Sequence, residues 1–139
     1  MSFFGGVLVH QTVTATSDTA VYQQSGFVQT TDVTATTILT LDVDLTTSAG
    51  WVEVFVAGAR QTVFDTAAYC VRARFENLAS VVVISPTSGS IDFSSEDNAA
   101  WNVTINGSVN STVVVQVIGV DGQNINWTAT ARWGYVRQP

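Results

Sequence analysis

"NINWTATARW", residues 124–133, alternates between polar and apolar side chains along its whole length. Successive side chains of an extended chain point to opposite faces, so Ile125, Trp127 and Trp133 share one face, while Asn126 and Arg132 share the other. This alternation is typical of a strand with one face on a core and the other toward water or a partner. The stretch therefore predicts a half-buried β-strand whose apolar face closes the core.

The same period of two recurs elsewhere in the chain. It is found in TILTLDVDL (37–45), AAYCVRARFEN (67–77) and WNVTI (101–105), and SVVVIS (80–85) is a short apolar run. Valine and threonine are abundant, and no stretch keeps a 3.6-residue period for three turns, so helix is disfavoured. Seven or eight short strands at this spacing predict an all-β domain, an antiparallel β-sandwich or jelly roll.

Three turn signals separate these strands. Asn106-Gly107 and Asp121-Gly122 favour positive φ, and each predicts a β-hairpin; the second would join residues 111–119 to residues 124–133. SPTSG (85–89) predicts another turn, because proline fixes φ and glycine tolerates positive φ. An acidic, solvated loop, SSEDN (94–98), is expected before the alternation restarts at Trp101.

Two regions depart from the simple pattern. WVEVFVAGA (51–59) is apolar on both faces except at Glu53, which indicates either a central strand or one covered by a neighbouring subunit. Residues 1–29 alternate weakly, so they are expected to form a short N-terminal arm or an irregular strand pair ahead of a sandwich domain at 30–139. The alternative is two more strands of the same sandwich.

Composition limits the kind of protein. The chain has 139 residues, eleven carboxylates, five arginines and no lysine, giving a net charge of −6 that disfavours nucleic-acid binding. No apolar run approaches the roughly 20 residues of a membrane-spanning helix, so neither nucleic acid nor membrane is an expected partner. Cys70 is the only cysteine, which excludes an intrachain disulfide and suits a reducing cytoplasm. Residues 1–11 lack the basic leader of a signal peptide.

The residues that could carry chemistry are scattered. His10 is the only histidine and has no acid or nucleophile near it in the sequence, and neither SSEDN nor Asp42 with Asp44 has the layout of a calcium loop. We therefore predict no catalytic residue, no metal and no cofactor. Cys70 is expected to be a small packing residue; the alternative is a thiol activated by nearby arginines.

Aromatic and charged residues suggest a contact surface. Trp101 and Trp127 are expected in the core, whereas Trp133, near the chain end, is expected to be partly exposed or at an interface. If their strands are neighbours, Glu53 pairs with a guanidinium across the sheet. The predicted subunit-interface residues are Glu53, Arg72, Arg74 and Trp133. Four Asn-x-Ser/Thr sequons, at Asn102, Asn106, Asn110 and Asn126, are expected to be polar-face positions rather than glycosylation sites.

Four segments, taken in order, resemble a small β-sandwich module of tailed-bacteriophage virions. They are TTDVTATTILTL (30–41), AAYCVRARF (67–75), EDNAAWNVTI (96–105) and VVVQVIGVDGQNINWTATA (113–131). The last is the most distinctive, since Gly119, Gly122, Ile125, Trp127 and Ala129 are similar to the closing hairpin of that module. The resemblance implies a non-enzymatic structural role, commonly as a homotrimer, and carries no catalytic residue across.

The same resemblance implies a place in the virion. The chain lacks a shaft, a repeat and heptads, so a capsid decoration or cement protein is expected, which trimerises on the outer shell and binds the phage major capsid protein. Such a protein is assembled in the cytoplasm of the bacterial host. The alternative is a tail-fibre or tail-tip knob or adaptor that binds other tail proteins, a host receptor or a surface glycan.

Overall fold

A computed structural model describes the backbone of residues 2–4, 7–15, 19–43 and 47–138, and the side chains of residues 21–43 and 47–138. Every regular element within these ranges is a β-strand, and the strands form two antiparallel sheets. The prediction of an all-β sandwich is confirmed. None of the described segments is a helix of the length and hydrophobicity needed to cross a bilayer.

The described residues form ten strands in the two sheets. They are β1 (Ser2–Phe4), β2 (Val7–Ala15), β3 (Thr19–Thr30), β4 (Thr36–Asp42), β5 (Ser48–Arg60), β6 (Thr66–Leu78), β7 (Val81–Glu96), β8 (Asn102–Gly107), β9 (Thr112–Ile118) and β10 (Ile125–Arg137). The large sheet has seven strands in the order β1-β2-β3-β10-β5-β6-β7, and the small sheet has three in the order β4-β9-β8.

The stretch at 124–133 forms most of β10, the middle strand of the large sheet. It pairs with β3 on one side and β5 on the other, and Ile125, Trp127 and Trp133 are buried as the alternation predicts. The small sheet covers this inner face, and Trp101 meets Trp127 edge to face at 5.5 Å between ring centroids. The apolar face of β10 therefore closes the core, and Trp101 and Trp127 are core residues as predicted.

Much of the predicted N-terminal arm lies in the large sheet. β3 pairs with β10 from Thr19 to Thr30, and β2 pairs with β3 from His10 to Ala15. The alternation of β3 is weak because Gln24 and Gly26 occupy two of its inner-face positions. Residues 19–29 thus form a regular strand rather than an irregular one.

The two predicted hairpins have different outcomes. β9 and β10 belong to different sheets, so Asp121-Gly122 turns the chain from one sheet to the other; Gly122 has φ +77° and Gln123 N–H donates to Val120 O at 3.1 Å. β8 and β9 do pair, but residues 108–111 connect them, and the positive φ falls on Ser111 instead of Gly107. The hairpin predicted at Asn106-Gly107 is therefore confirmed, with its positive φ on Ser111, whereas the one predicted at Asp121-Gly122 is wrong because the chain crosses to the other sheet.

The SPTSG segment does not reverse the chain. Ser85 pairs with Arg74 and Ser90 with Arg72, so residues 86–89 bulge out while β7 continues along β6. Ser88 and Gly89 supply the positive φ values within this bulge. Residues 94–96 of the predicted acidic loop are consequently strand, because β7 extends to Glu96.

The β6–β7 hairpin has a turn that its sequence does not favour. Ala79 and Ser80 both have positive φ (49° and 74°), the backbone of a type I′ turn, which normally selects Asn-Gly. The double substitution Ala79→Asn and Ser80→Gly is expected to raise the free energy of unfolding by about 1 kcal/mol, by relieving left-handed strain. Urea denaturation measures it. Ser95→Gly, in the extended part of β7, is the control and is expected to lower stability.

Candidate interaction surface

Exposed aromatic side chains lie on the outer face of the large sheet, which is the face turned away from the small sheet. On β5, Val52, Val54 and Val56 point to the core, whereas Trp51 and Phe55 on the outer face are 43% and 48% exposed. The two-sided apolarity of residues 51–59 reflects a central strand, since β5 lies between β10 and β6. Coverage by a neighbouring subunit stays a prediction.

An apolar patch occupies one half of this outer face. We define it as Phe27, Phe55, Ala57, Ala68 and Phe93. Ala57 and Ala68 face each other across β5 and β6, and they form the floor of two shallow depressions of about 750 and 510 Å³. Phe27 borders the first depression, and Phe55 and Phe93 border the second. The small side chains leave depressions between the phenylalanine rings, and side chains of a partner can fill these depressions.

Cys70 lies within this patch. It stands directly opposite Phe55 on β5 and Phe93 on β7, and it is buried. Phe93 itself is 57% exposed, and Cys70 lines the same depression as Phe55 and Phe93. The Arg72 side chain also interacts with Cys70, so the role of Cys70 as a small packing residue stays a prediction.

The other half of the outer face holds a charged cluster. Glu53 lies opposite Arg72, and Arg72 Nε is 2.9 Å from Glu53 Oε2 and 3.2 Å from Asp92 Oδ2. The predicted cross-strand pair is therefore confirmed for Arg72, whereas Arg74 bonds Glu76 Oε1 at 3.0 Å. Glu53 first, and then Asp92, raise the pKa of Arg72 above its ordinary value. Because Arg72 is well exposed, the pair adds little stability in the single chain.

Charges on the outer face balance, unlike those of the whole chain. The described outer-face residues include three arginines and three carboxylates, which are Arg72, Arg74, Arg132, Glu53, Glu76 and Asp92. The complete chain carries −6. Two copies that meet through this face therefore avoid the repulsion that their net charges cause elsewhere.

Trp133 on β10 and Trp51 on β5 differ in burial, and the prediction for Trp133 is overturned. Trp133 is fully buried; its Nε1 donates to Asp42 O at 2.9 Å, and its ring stacks on Tyr22 at 5.1 Å. Its predicted exposure is wrong, because β10 continues past it and β4 covers it. Trp51 is the exposed tryptophan, and the apolar outer face of residues 51–59 was the signal for it.

Tyr69 and Glu96 form a further titratable pair. Tyr69 O–H donates to the Glu96 carboxylate, and burial, followed by this carboxylate, raises the pKa of Tyr69 above its ordinary value. No cluster of potential metal ligands occurs among the residues that the structure describes. The side chain of His10 and all of Asp44 lie outside the described residues, and Asp42 is exposed.

The sequon asparagines occupy polar positions. Asn102, Asn110 and Asn126 are exposed, and Asn106 Nδ2 donates to Thr104 Oγ1 at 3.0 Å on the small sheet.

Comparisons with protein-family models, with curated proteins and with solved structures find no match for this chain.

Proposed function

We propose that this chain is a non-enzymatic structural protein of a bacteriophage virion, and that it associates with identical copies through the apolar patch on the outer face of its large sheet. The exposed phenylalanines of the apolar patch are the observation that carries self-association. The virion role rests on the resemblance of residues 30–133 to the phage module, from which a homotrimer is the expected assembly. The proposed place is the capsid exterior, as a decoration or cement protein bound to the major capsid protein.

Burial of the apolar patch is the proposed driving force. Complete burial of one phenylalanine side chain contributes about 1.5–3 kcal/mol, and Phe55 and Phe93 are each about half exposed in the single chain. The loss of translational and rotational freedom on association is larger than either contribution alone. Each contact must therefore bury the apolar patches of both copies, with the phenylalanine rings of one copy filling the depressions of the next.

The charged cluster supplies specificity in this proposal. An interface over the apolar patch borders Glu53, Arg72 and Arg74, which are already paired, so association leaves few charges without a partner and the far side of the cluster stays open to solvent. Paired charges of this kind fix the register of two surfaces more than they strengthen association. Arg72 is accordingly expected to stay paired with Glu53 in the assembled form.

Sedimentation of the full chain at micromolar concentration tests self-association. The wild-type protein is expected to sediment as an oligomer of its 14.8 kDa chain, and Phe55→Asp is expected to sediment as a monomer, because a carboxylate cannot be buried in the patch at low cost. Phe64→Asp is the matched control. Phe64 is 85% exposed in the connection after β5 and lies off the patch, so this variant should remain oligomeric.

Binding to phage capsids assembled without the protein tests the virion role. Saturable binding, with copies seen on the outer shell by electron microscopy, is expected. A wild-type chain that is monomeric and binds no shell contradicts the whole proposal. An oligomer that binds no shell retains self-association and removes the capsid placement.

A further inference from the structure

Trp51 stands at the rim of the outer face, apart from the apolar patch. It is four residues from Phe55 on β5, about 13 Å at roughly 3.3 Å per residue. In the sheet register it lies between Arg74 on β6 and Gly134 on β10, and Gly134 has no side chain to cover the indole. The indole therefore stays open to solvent on a rigid central strand.

Two shallow depressions meet at Trp51, and their chemistry differs. One, which we call the Trp51 groove, has a volume of about 620 Å³. Its polar lining residues are Glu53, Arg72, Arg74, Ser85 and Ser90, and its apolar ones include Trp51 and Pro86. The other, of about 460 Å³, is lined by apolar or small residues that include Val21, Gly134 and Val136. An aromatic ring thus separates a groove that carries charged and hydroxyl groups on a partly apolar lining from one whose lining has no charged residue.

We propose that the Trp51 groove binds a neutral saccharide. A pyranose ring has a face of C–H groups, which carry partial positive charge, and these stack on the electron-rich face of an indole. The hydroxyl groups at its rim both donate and accept hydrogen bonds. The groove offers guanidinium donors on Arg72 and Arg74, carboxylate acceptors on Glu53, and hydroxyls on Ser85 and Ser90. Its volume lies in the usual range for small-ligand sites.

The electrostatics favour a neutral ligand over an anionic one. Arg72 is bonded to both Glu53 and Asp92, and Arg74 is bonded to Glu76, so the cations of the groove are compensated. An anionic sugar would have to compete with these carboxylates for the same guanidinium groups. Hydroxyl groups can bond to the pairs without breaking them, since each ion keeps unused donor or acceptor positions.

An array of immobilised oligosaccharides, probed with the full-length protein, tests the site. The array carries neutral gluco-, galacto-, manno- and N-acetylglucosamine oligosaccharides beside sialylated and uronic-acid ones. Retention on at least one neutral oligosaccharide is expected. Titration of that sugar should change tryptophan emission, because Trp51 is exposed whereas Trp101, Trp127 and Trp133 are buried.

Substitution of the indole provides the decisive comparison. Trp51→Ala is expected to weaken binding at least about tenfold, equal to about 1.4 kcal/mol. Phe64→Ala, which removes another exposed aromatic ring outside the groove, should leave binding unchanged. Both variants should keep the wild-type sedimentation coefficient, which separates this result from self-association.

Four results would overturn the proposal. They are no retention of any neutral oligosaccharide at millimolar concentration, retention of acidic oligosaccharides alone, equal binding by Trp51→Ala, and a changed oligomeric state of Trp51→Ala. The last of these would assign Trp51 to the interface between copies instead.

Discussion

Trp133→Ala is expected to lower the free energy of unfolding by about 3–5 kcal/mol, the usual cost of removing a fully buried tryptophan. The indole has no solvent exposure, stacks on Tyr22 and donates to Asp42 O. Its loss leaves a cavity between β10 and β4 and a carbonyl without its partner. Urea denaturation followed by circular dichroism, at one protein concentration for all variants, measures the effect.

Two further variants separate the causes. Trp133→Phe keeps an aromatic ring against Tyr22 but removes the Nε1 donor, so it should cost less than Trp133→Ala while still leaving Asp42 O unpaired. Trp51→Ala is the matched control, since it removes the same side chain from an exposed position and should cost about 1 kcal/mol or less. Equal losses for Trp51→Ala and Trp133→Ala would contradict the burial assigned to the two residues.

These two tryptophans also show what the sequence could predict. Strict alternation through residues 124–133 places Trp133 beside Trp127 on the inner face, and that is where it lies. Its nearness to the chain end suggested exposure, but position along the chain does not determine burial. Burial depends on β4, which is remote in sequence and supplies the carbonyl that pairs with the indole.

The candidate surface was predictable only in part. The Glu53–Arg72 pair follows from alternation once β5 and β6 are neighbours, and neighbouring strands in sequence commonly pair. The apolar patch joins Phe27 on β3 and Phe93 on β7, which are separated in the sheet by β10, β5 and β6. These rings come together only because of the strand order in the sheet, and that order cannot be predicted from the sequence pattern of a single strand.

Turn signals illustrate a related limit. Gly122 and the SPTSG segment do adopt positive φ, as their sequences suggest, yet one connects two sheets and the other forms a bulge. Ala79 and Ser80 form a true hairpin turn without any of the residues that favour it. The residue type determines which φ values a segment can adopt. Strand pairing determines whether that segment forms a hairpin, a bulge or a connection between sheets.

Gly107→Ala is expected to lower the free energy of unfolding by about 3 kcal/mol, although Gly107 is exposed and its φ is not positive. A Cβ on Gly107 would lie 1.9 Å from the carbonyl oxygen of Val82. Val82 N–H donates to Ser108 O at 2.8 Å, so the backbones of β7 and the β8–β9 connection are held together at this point. Neither can move away without losing that hydrogen bond.

Gly122 provides the comparison that tests this reason. A Cβ there would meet no atom within 4 Å, but φ is +77°, so Gly122→Ala should cost about 1–2 kcal/mol from backbone strain alone. Asparagine tolerates positive φ, and Gly122→Asn should therefore recover part of the loss. Gly107→Asn should be at least as damaging as Gly107→Ala, because space rather than φ is limiting. Urea midpoints rank the four variants, and recovery by asparagine at position 107 would show that the close approach of Val82 is not the cause.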